Sequence, residues 1–217
     1  MPVKVGLQYI DIWQESMEES VREYEKEPLH KGQIVFYGPS YFTRWCPKYG
    51  MMPMRDALPG ASGAPCVVNR GFGSSCAEHQ LYYYARMVRP LDPKVLVYQS
   101  HANGPSFGYT EEESWELAQR VIAWAMTDFP GIRICLVGAN ASRDMTEEKL
   151  AEFRAYNAKL KAFAENLPNG RFIDQLEVTR LWDASYYVED GVHYNQEGYK
   201  LYADFFKEAL KEELSWF

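Results

Sequence analysis

The chain has 217 residues, 47% hydrophobic and 24% charged, and its 30 acidic and 23 basic residues leave a formal net charge of -7. A chain of this length buries roughly 70% of the surface it exposes when unfolded, so a core forms without disulfide or metal staples; fibrous, collagenous and disordered classes are excluded. There is no run of Lys or Arg. The basic footprint needed to bind a phosphate backbone is therefore missing, and no nucleic-acid partner is expected.

No stretch approaches the roughly 20 apolar residues of a bilayer span, and the first residues form neither a basic nor an apolar signal segment. No membrane span and a cytoplasmic location are expected. Cys46, Cys66, Cys76 and Cys135 are scattered without a CxxC pair. Zinc spacing is thus absent, and free thiols are expected in a reducing compartment. No metal or cofactor is expected, and the oligomeric state is unreadable.

Taken in chain order, residues 11–27 read as an amphipathic helix with Trp13, Met17, Val21 and Tyr24 on one stripe and Asp11 with Gln14 as a cap pair. Residues 1–31 are expected to be a helical extension packed on a single domain, 1–217. The apolar run at 34–37 stops at Gly38-Pro39-Ser40, which marks a first buried strand. A second run at 66–69 stops at Gly71-Phe72-Gly73, and Ser75-x-x-Glu78 is the capping box predicted to open a helix reaching about Arg89. Residues 95–98 give a third strand, followed by a loop and a helix at 110–127 capped by Thr110 and Glu113. A fourth strand is predicted at 132–137. The helix at 146–166 places Leu150, Phe153, Asn157, Leu160 and Ala164 on one face. After a short fifth strand at 171–173, the last helix, 196–214, turns Tyr199, Tyr202, Phe206 and Leu210 inward.

Short apolar strands alternating with helices, and no two-residue hairpin turn, predict an α/β fold: a parallel sheet covered on both faces, in three α/β/α layers. Ligands of such sheets sit at the carboxyl ends of the strands. That places chemistry in the loops holding Ser40, Ser74 and Asn103.

Ser40 stands at a tight turn just past a buried strand, where it either caps a helix or presents its hydroxyl as a nucleophile. A nucleophile needs a base. Of the four histidines, His193 lies in Asp190-Gly-Val-His193, directly before the last helix. An Asp three residues before a His can accept the Nδ1 proton and leave Nε2 free as a general base. Acyl transfer also needs donors for the developing oxyanion, and the N–H of Ser40, the N–H of the turn after strand two and the amide of Asn103 would converge at one sheet edge.

This ordered pattern resembles the SGNH hydrolases, also called the GDSL lipase/esterase family. Gly38-Pro39-Ser40 is similar to its first block, residues 69–75 to the second, Asn103 to the third and Asp190-Gly-Val-His193 to the last. The resemblance covers nearly the whole chain after about Gly32. It implies a flavodoxin-like five-stranded sheet of order 2-1-3-4-5, with Ser40 as nucleophile, His193 as base, Asp190 as orienter, and an oxyanion hole formed by Ser40, Ser74 and Asn103. His101, Gly73 and Tyr41 are further candidates for the pocket.

Three positions depart from the family pattern. Pro39 replaces the usual Asp, which removes one N–H but not that of Ser40. The oxyanion-hole glycine of the second block aligns with Ser74, or with Gly73 if the turn slips by one, and a serine there prefers more ordinary backbone angles than glycine. The third block reads His101-Ala102-Asn103-Gly104, with both flanks of Asn103 changed. Met51, Met52 and Met54 read as a hydrophobic wall rather than soft-metal ligands. Gly71-Phe72-Gly73 lacks the third glycine of a dinucleotide fingerprint.

The function expected is cleavage of a carboxylic ester, with a small acyl group leaving a carbohydrate or metabolite through an acyl-serine intermediate. The alternatives are a non-catalytic ligand-binding protein on the same fold and a flavodoxin-like nucleotide binder.

Overall fold

The computed structural model describes residues 7–12, 14–100 and 103–217. A helix α1 (Gln14–Glu25) precedes strand β1 (Ile34–Gly38) and a single helical turn α2 (Ser40–Thr43); α3 (Met54–Ala57) is equally short. Then β2 (Val67–Gly71), α4 (Ala77–Met87), β3 (Val95–Tyr98), α5 (Glu111–Asp128), β4 (Arg133–Val137), α6 (Glu147–Glu165) and β5 (Gly170–Ile173) alternate, and α7 (Gln196–Ala209) with α8 (Lys211–Leu214) completes the chain. The strands form one parallel sheet in the order β2-β1-β3-β4-β5, the order that the family resemblance implies.

The period of two along each strand builds both cores. Val35, Tyr37, Leu96, Tyr98, Ile134 and Leu136 face one way and pack with residues of α1, α4 and α5. Ile34, Phe36, Val95, Val97, Cys135 and Val137 face the other way, into an aromatic cluster with Phe42, Trp45, Tyr199, Tyr202 and Phe206. Because both faces are covered, the strands read in sequence as continuous apolar runs rather than alternating ones.

The boundaries shift in two instructive places. The last predicted helix divides into α7 and α8 about Leu210, which is fully buried. The cap of α4 is Cys76 and not Ser75: the Cys76 backbone N–H donates to His79 Nδ1 at 3.3 Å, whereas Glu78 is buried and accepts from the Tyr9 backbone N–H at 3.0 Å and the Tyr109 hydroxyl at 2.6 Å. A carboxylate with buried partners of its own cannot also serve the box. The α1 helix presents Met17 and Val21 to the core, and the predicted stripe residue Trp13 lies outside the described residues. The four cysteines are unpaired. No helix among the described residues is long and apolar enough to cross a membrane.

Candidate active site

The turn bearing Ser40 is built by the glycines before it. Gly38 and Gly71 are register partners at the ends of β1 and β2, and α2 folds back directly over them. A Cβ on Gly71 would come within 2.4 Å of the Thr43 backbone nitrogen, so only a bare backbone lets α2 lie this close. Asn69 clamps the same turn: its Nδ2 donates to the Phe42 carbonyl at 2.7 Å and its Oδ1 accepts from the Gly71 N–H at 2.8 Å. Ser40 is the first residue of α2, where a helix leaves backbone N–H groups without intrahelical partners.

His193 meets Ser40 across 153 residues of sequence, with His193 Nε2 2.7 Å from Ser40 Oγ. On the other side of the ring, His193 Nδ1 lies 2.8 Å from Asp190 Oδ2. An ionised carboxylate only accepts, so Nδ1 carries the proton and Nε2 is left to accept from the serine hydroxyl. Asp190 Oδ1 accepts the backbone N–H groups of Val192 and His193, each at 2.9 Å. Partial burial opposes ionisation of Asp190, but these two N–H groups and the imidazole outweigh it and hold the carboxyl well below the ordinary range. Burial is also the largest influence on His193. It lowers the imidazole pKa, Asp190 works against it, and the nearby Arg44 adds to it. The net lowering favours the neutral ring.

Tyr41, a candidate pocket residue by sequence, instead stands behind this array. Its side chain is buried, and its hydroxyl donates to the Val192 carbonyl at 2.8 Å with a longer contact to the Ala141 carbonyl at 3.4 Å. Burial pushes its phenol far above the ordinary range, so it remains a donor. Tyr41 faces inward because α2 packs on α7, where the Tyr199 hydroxyl donates to the Tyr41 carbonyl at 2.8 Å. A buried amide network fixes the neighbouring loop: Gln99 and Gln175 both donate to Asn140 Oδ1, at 2.5 and 2.9 Å, and the Tyr202 hydroxyl donates to Gln175 Oε1 at 2.6 Å. Nothing local in the sequence marks these amides, because their partners lie in the loops after three different strands and on α7.

Strands β2 and β3 flank β1 in the sheet, so the loops after them lie beside the turn of Ser40. Ser74 has φ +60°, in the left-handed region, while Gly73 does not; Ser74 therefore occupies the position that suits a glycine. Gly73 has open space around it. Asn103 is also left-handed, at φ +64°, and its Nδ2 donates to the Ser75 carbonyl at 3.0 Å, tying the two loops together. One of its two amide hydrogens remains for another acceptor. His101 lies outside the described residues. Two residues of the array escape sequence inspection: Asn69, whose clamp depends on α2, and Arg44, whose Nη1 donates to Asp190 Oδ2 at 3.3 Å. The only available signal for Arg44 was its spacing of four from Ser40, one helical turn.

A cleft of about 360 Å³ lined by Trp45, Met51, Met52 and Tyr199 runs along α7 and includes neither Ser40 nor His193. Met51 and Met52 therefore line this cleft rather than the turn of Ser40, and Met54 is buried in the core. Among the described residues, no cluster of three or more His, Cys, Asp or Glu side chains could hold a metal ion.

No protein-family model matches the chain, and no curated protein matches its sequence. Solved structures do match. A protein of Bacteroides fragilis described as an acylhydrolase superposes with a TM-score of 0.69 at 18% identity, covering 95% of this chain and 99% of its own. A GDSL-like lipase of Bacteroides thetaiotaomicron gives 0.66 at 16% identity, covering 93% and 98%. An acetylxylan esterase of Geobacillus stearothermophilus gives 0.65 at 14% identity, covering 84% and 95%. The chain has the three-layer fold of the GDSL-type lipases and acylhydrolases.

Proposed function

We propose that this protein is a serine hydrolase of carboxylic esters that removes a small acyl group from a carbohydrate or metabolite. The observation that carries the proposal is the continuous chain of hydrogen bonds from Ser40 Oγ to His193 Nε2 at 2.7 Å and from His193 Nδ1 to Asp190 Oδ2 at 2.8 Å. In the proposed reaction Ser40 Oγ attacks the ester carbonyl while its proton passes to His193 Nε2, and Asp190 stabilises the imidazolium that forms. The N–H groups of Ser40 and Ser74 and the free amide hydrogen of Asn103 receive the oxyanion. The tetrahedral species collapses as His193 returns the proton to the leaving alcohol. Water, activated by the same histidine, then releases the acid from the acyl-serine. The acetylxylan esterase among the matching folds supports a small acyl group and a sugar-like alcohol.

Two observations favour the rival reading, a non-catalytic ligand-binding protein on the same fold: Ser74 stands where the family carries glycine, and Asn103 already donates to Ser75. A fluorophosphonate probe separates the two. On the hydrolase reading the wild-type protein is labelled at Ser40, Ser40→Ala is not, and His193→Ala is labelled at least 100-fold more slowly. The hydrolase reading is wrong if wild type is not labelled and does not hydrolyse p-nitrophenyl acetate above the Ser40→Ala background.

A further inference from the structure

Arg44 follows Ser40 by one helical turn, and its backbone N–H closes on the Ser40 carbonyl at 2.9 Å. The short helix that carries the serine thus also carries a guanidinium. Arg44 Nη1 donates to Asp190 Oδ2 at 3.3 Å, the same oxygen that accepts the His193 Nδ1 proton. The guanidinium also lies over the Tyr49 ring, 5.6 Å from its centroid, which restrains its plane. Side-chain exposure is 32% for Arg44 and 39% for Asp190, so water weakens the pair without abolishing it.

We propose that Arg44 is a positioning residue of this site: it braces the Asp190 carboxylate against His193 and, as a permanent positive charge beside the pair, disfavours the imidazolium. This rests on the hydrolase reading above. Apart from Arg44, which caps α2, the charged groups near the ring among the described residues are Asp190 on its own loop and Arg143 on the loop after β4. Arg143 Nη2 is occupied by the Glu189 carbonyl at 3.4 Å and the Asp144 carboxylate at 3.3 Å. Glu189, beside Asp190, is exposed. The phenols of Tyr41, Tyr194 and Tyr199 are the remaining titratable neighbours, and burial keeps all three protonated. Among the described residues, Arg44 is therefore the cation that bears directly on the Asp190–His193 pair.

The sign follows from charge. A cation beside the pair disfavours the imidazolium, so removing it raises the His193 pKa and moves the acidic limb of the rate profile to higher pH. For partly exposed unit charges a few ångströms apart the shift is roughly half a pH unit to one unit. The test is an NMR titration of the histidine rings in wild type, Arg44→Gln, Arg44→Met and Arg44→Lys, with the pH dependence of fluorophosphonate labelling followed in parallel. Arg44→Met keeps the apolar stem over Tyr49 and serves as the neutral variant if Arg44→Gln does not fold. The neutral variants should raise the His193 pKa and shift the labelling limb by that same amount, and Arg44→Lys should restore both to within a few tenths of a unit of wild type. A His193 titration that is the same in wild type and the neutral variants overturns the role of Arg44. Because NMR reads the shift without turnover, failure of wild type to label overturns the hydrolase reading alone.

Discussion

The two sides of Ser40 are held in different ways. On one side, His193 and Arg44 both donate to Asp190, each of the Asp190 oxygens has two donors, and Tyr41 holds the same loop through the Val192 carbonyl. On the other side, Ser74 and Asn103 sit in left-handed backbone, and among the described residues Asn103 is held by its Nδ2 on the Ser75 carbonyl and by the Phe107 N–H on its own carbonyl. The base side is over-determined, so a single lost contact leaves others in place. The side of Ser74 and Asn103, which the proposed reaction uses for the oxyanion, holds two residues in left-handed backbone, and two of the three departures from the family pattern fall there. A residue in left-handed backbone without glycine costs about 1–2 kcal/mol, a price such sites carry when the turn serves a purpose.

If this contrast is right, the largest effect of a single substitution outside the triad should come from the oxyanion side. Asn103→Ala removes both a donor and the tie to Ser75, and kcat should fall about 100-fold with KM changed less than threefold. A loss under threefold would mean that Asn103 only shapes the loop. On the base side, Tyr41→Phe removes the donor to the Val192 carbonyl, but Asp190 still holds the loop through two N–H groups. Steady-state kinetics should give a milder loss of about tenfold in kcat, and a loss larger than that of Asn103→Ala would invert the comparison. The smallest effect is on stability. Ser74→Gly relieves the left-handed strain and should stabilise the fold by about 1 kcal/mol, raising Tm by roughly 2–4 °C in a calorimetric scan. A lowered Tm would show that the serine is held by contacts worth more than the strain.

The sheet was legible because its signals are local: short apolar runs, each stopped by glycine or a polar turn, and two true N-caps at Thr110 and Thr146. Asp190 and His193 were legible for the same reason, three residues being enough to form their own hydrogen bonds. The one-turn helix α2 was not, since four residues show no period, and with it went the roles of Asn69, Tyr41 and Arg44. Their partners are also remote: Arg44 reaches a residue 146 positions away and Tyr41 one 151 away. The Ser75-x-x-Glu78 signature failed because Glu78 had stronger partners in the N-terminal segment and the loop before α5. Whether Ser74 or Gly73 takes the glycine position was a matter of alignment in sequence, and the fold puts Ser74 there at φ +60°, against the more ordinary angles expected of a serine.

The contacts of α1 change what the N-terminal extension means. Tyr24 on α1 donates from its hydroxyl to the Gly71 carbonyl at 2.7 Å, and Glu27, just past the helix, pairs with the buried Arg70 at 2.7 Å. Gly71 lies three residues before Ser74. A shortened protein beginning near Gly32 would therefore take from Arg70 its carboxylate partner and the ring it lies over, and from the Gly71 carbonyl the Tyr24 hydroxyl that holds it. In engineering terms the first helix is a buttress for the site, and the smallest unit that can be trimmed, fused or recombined without loosening that turn includes it.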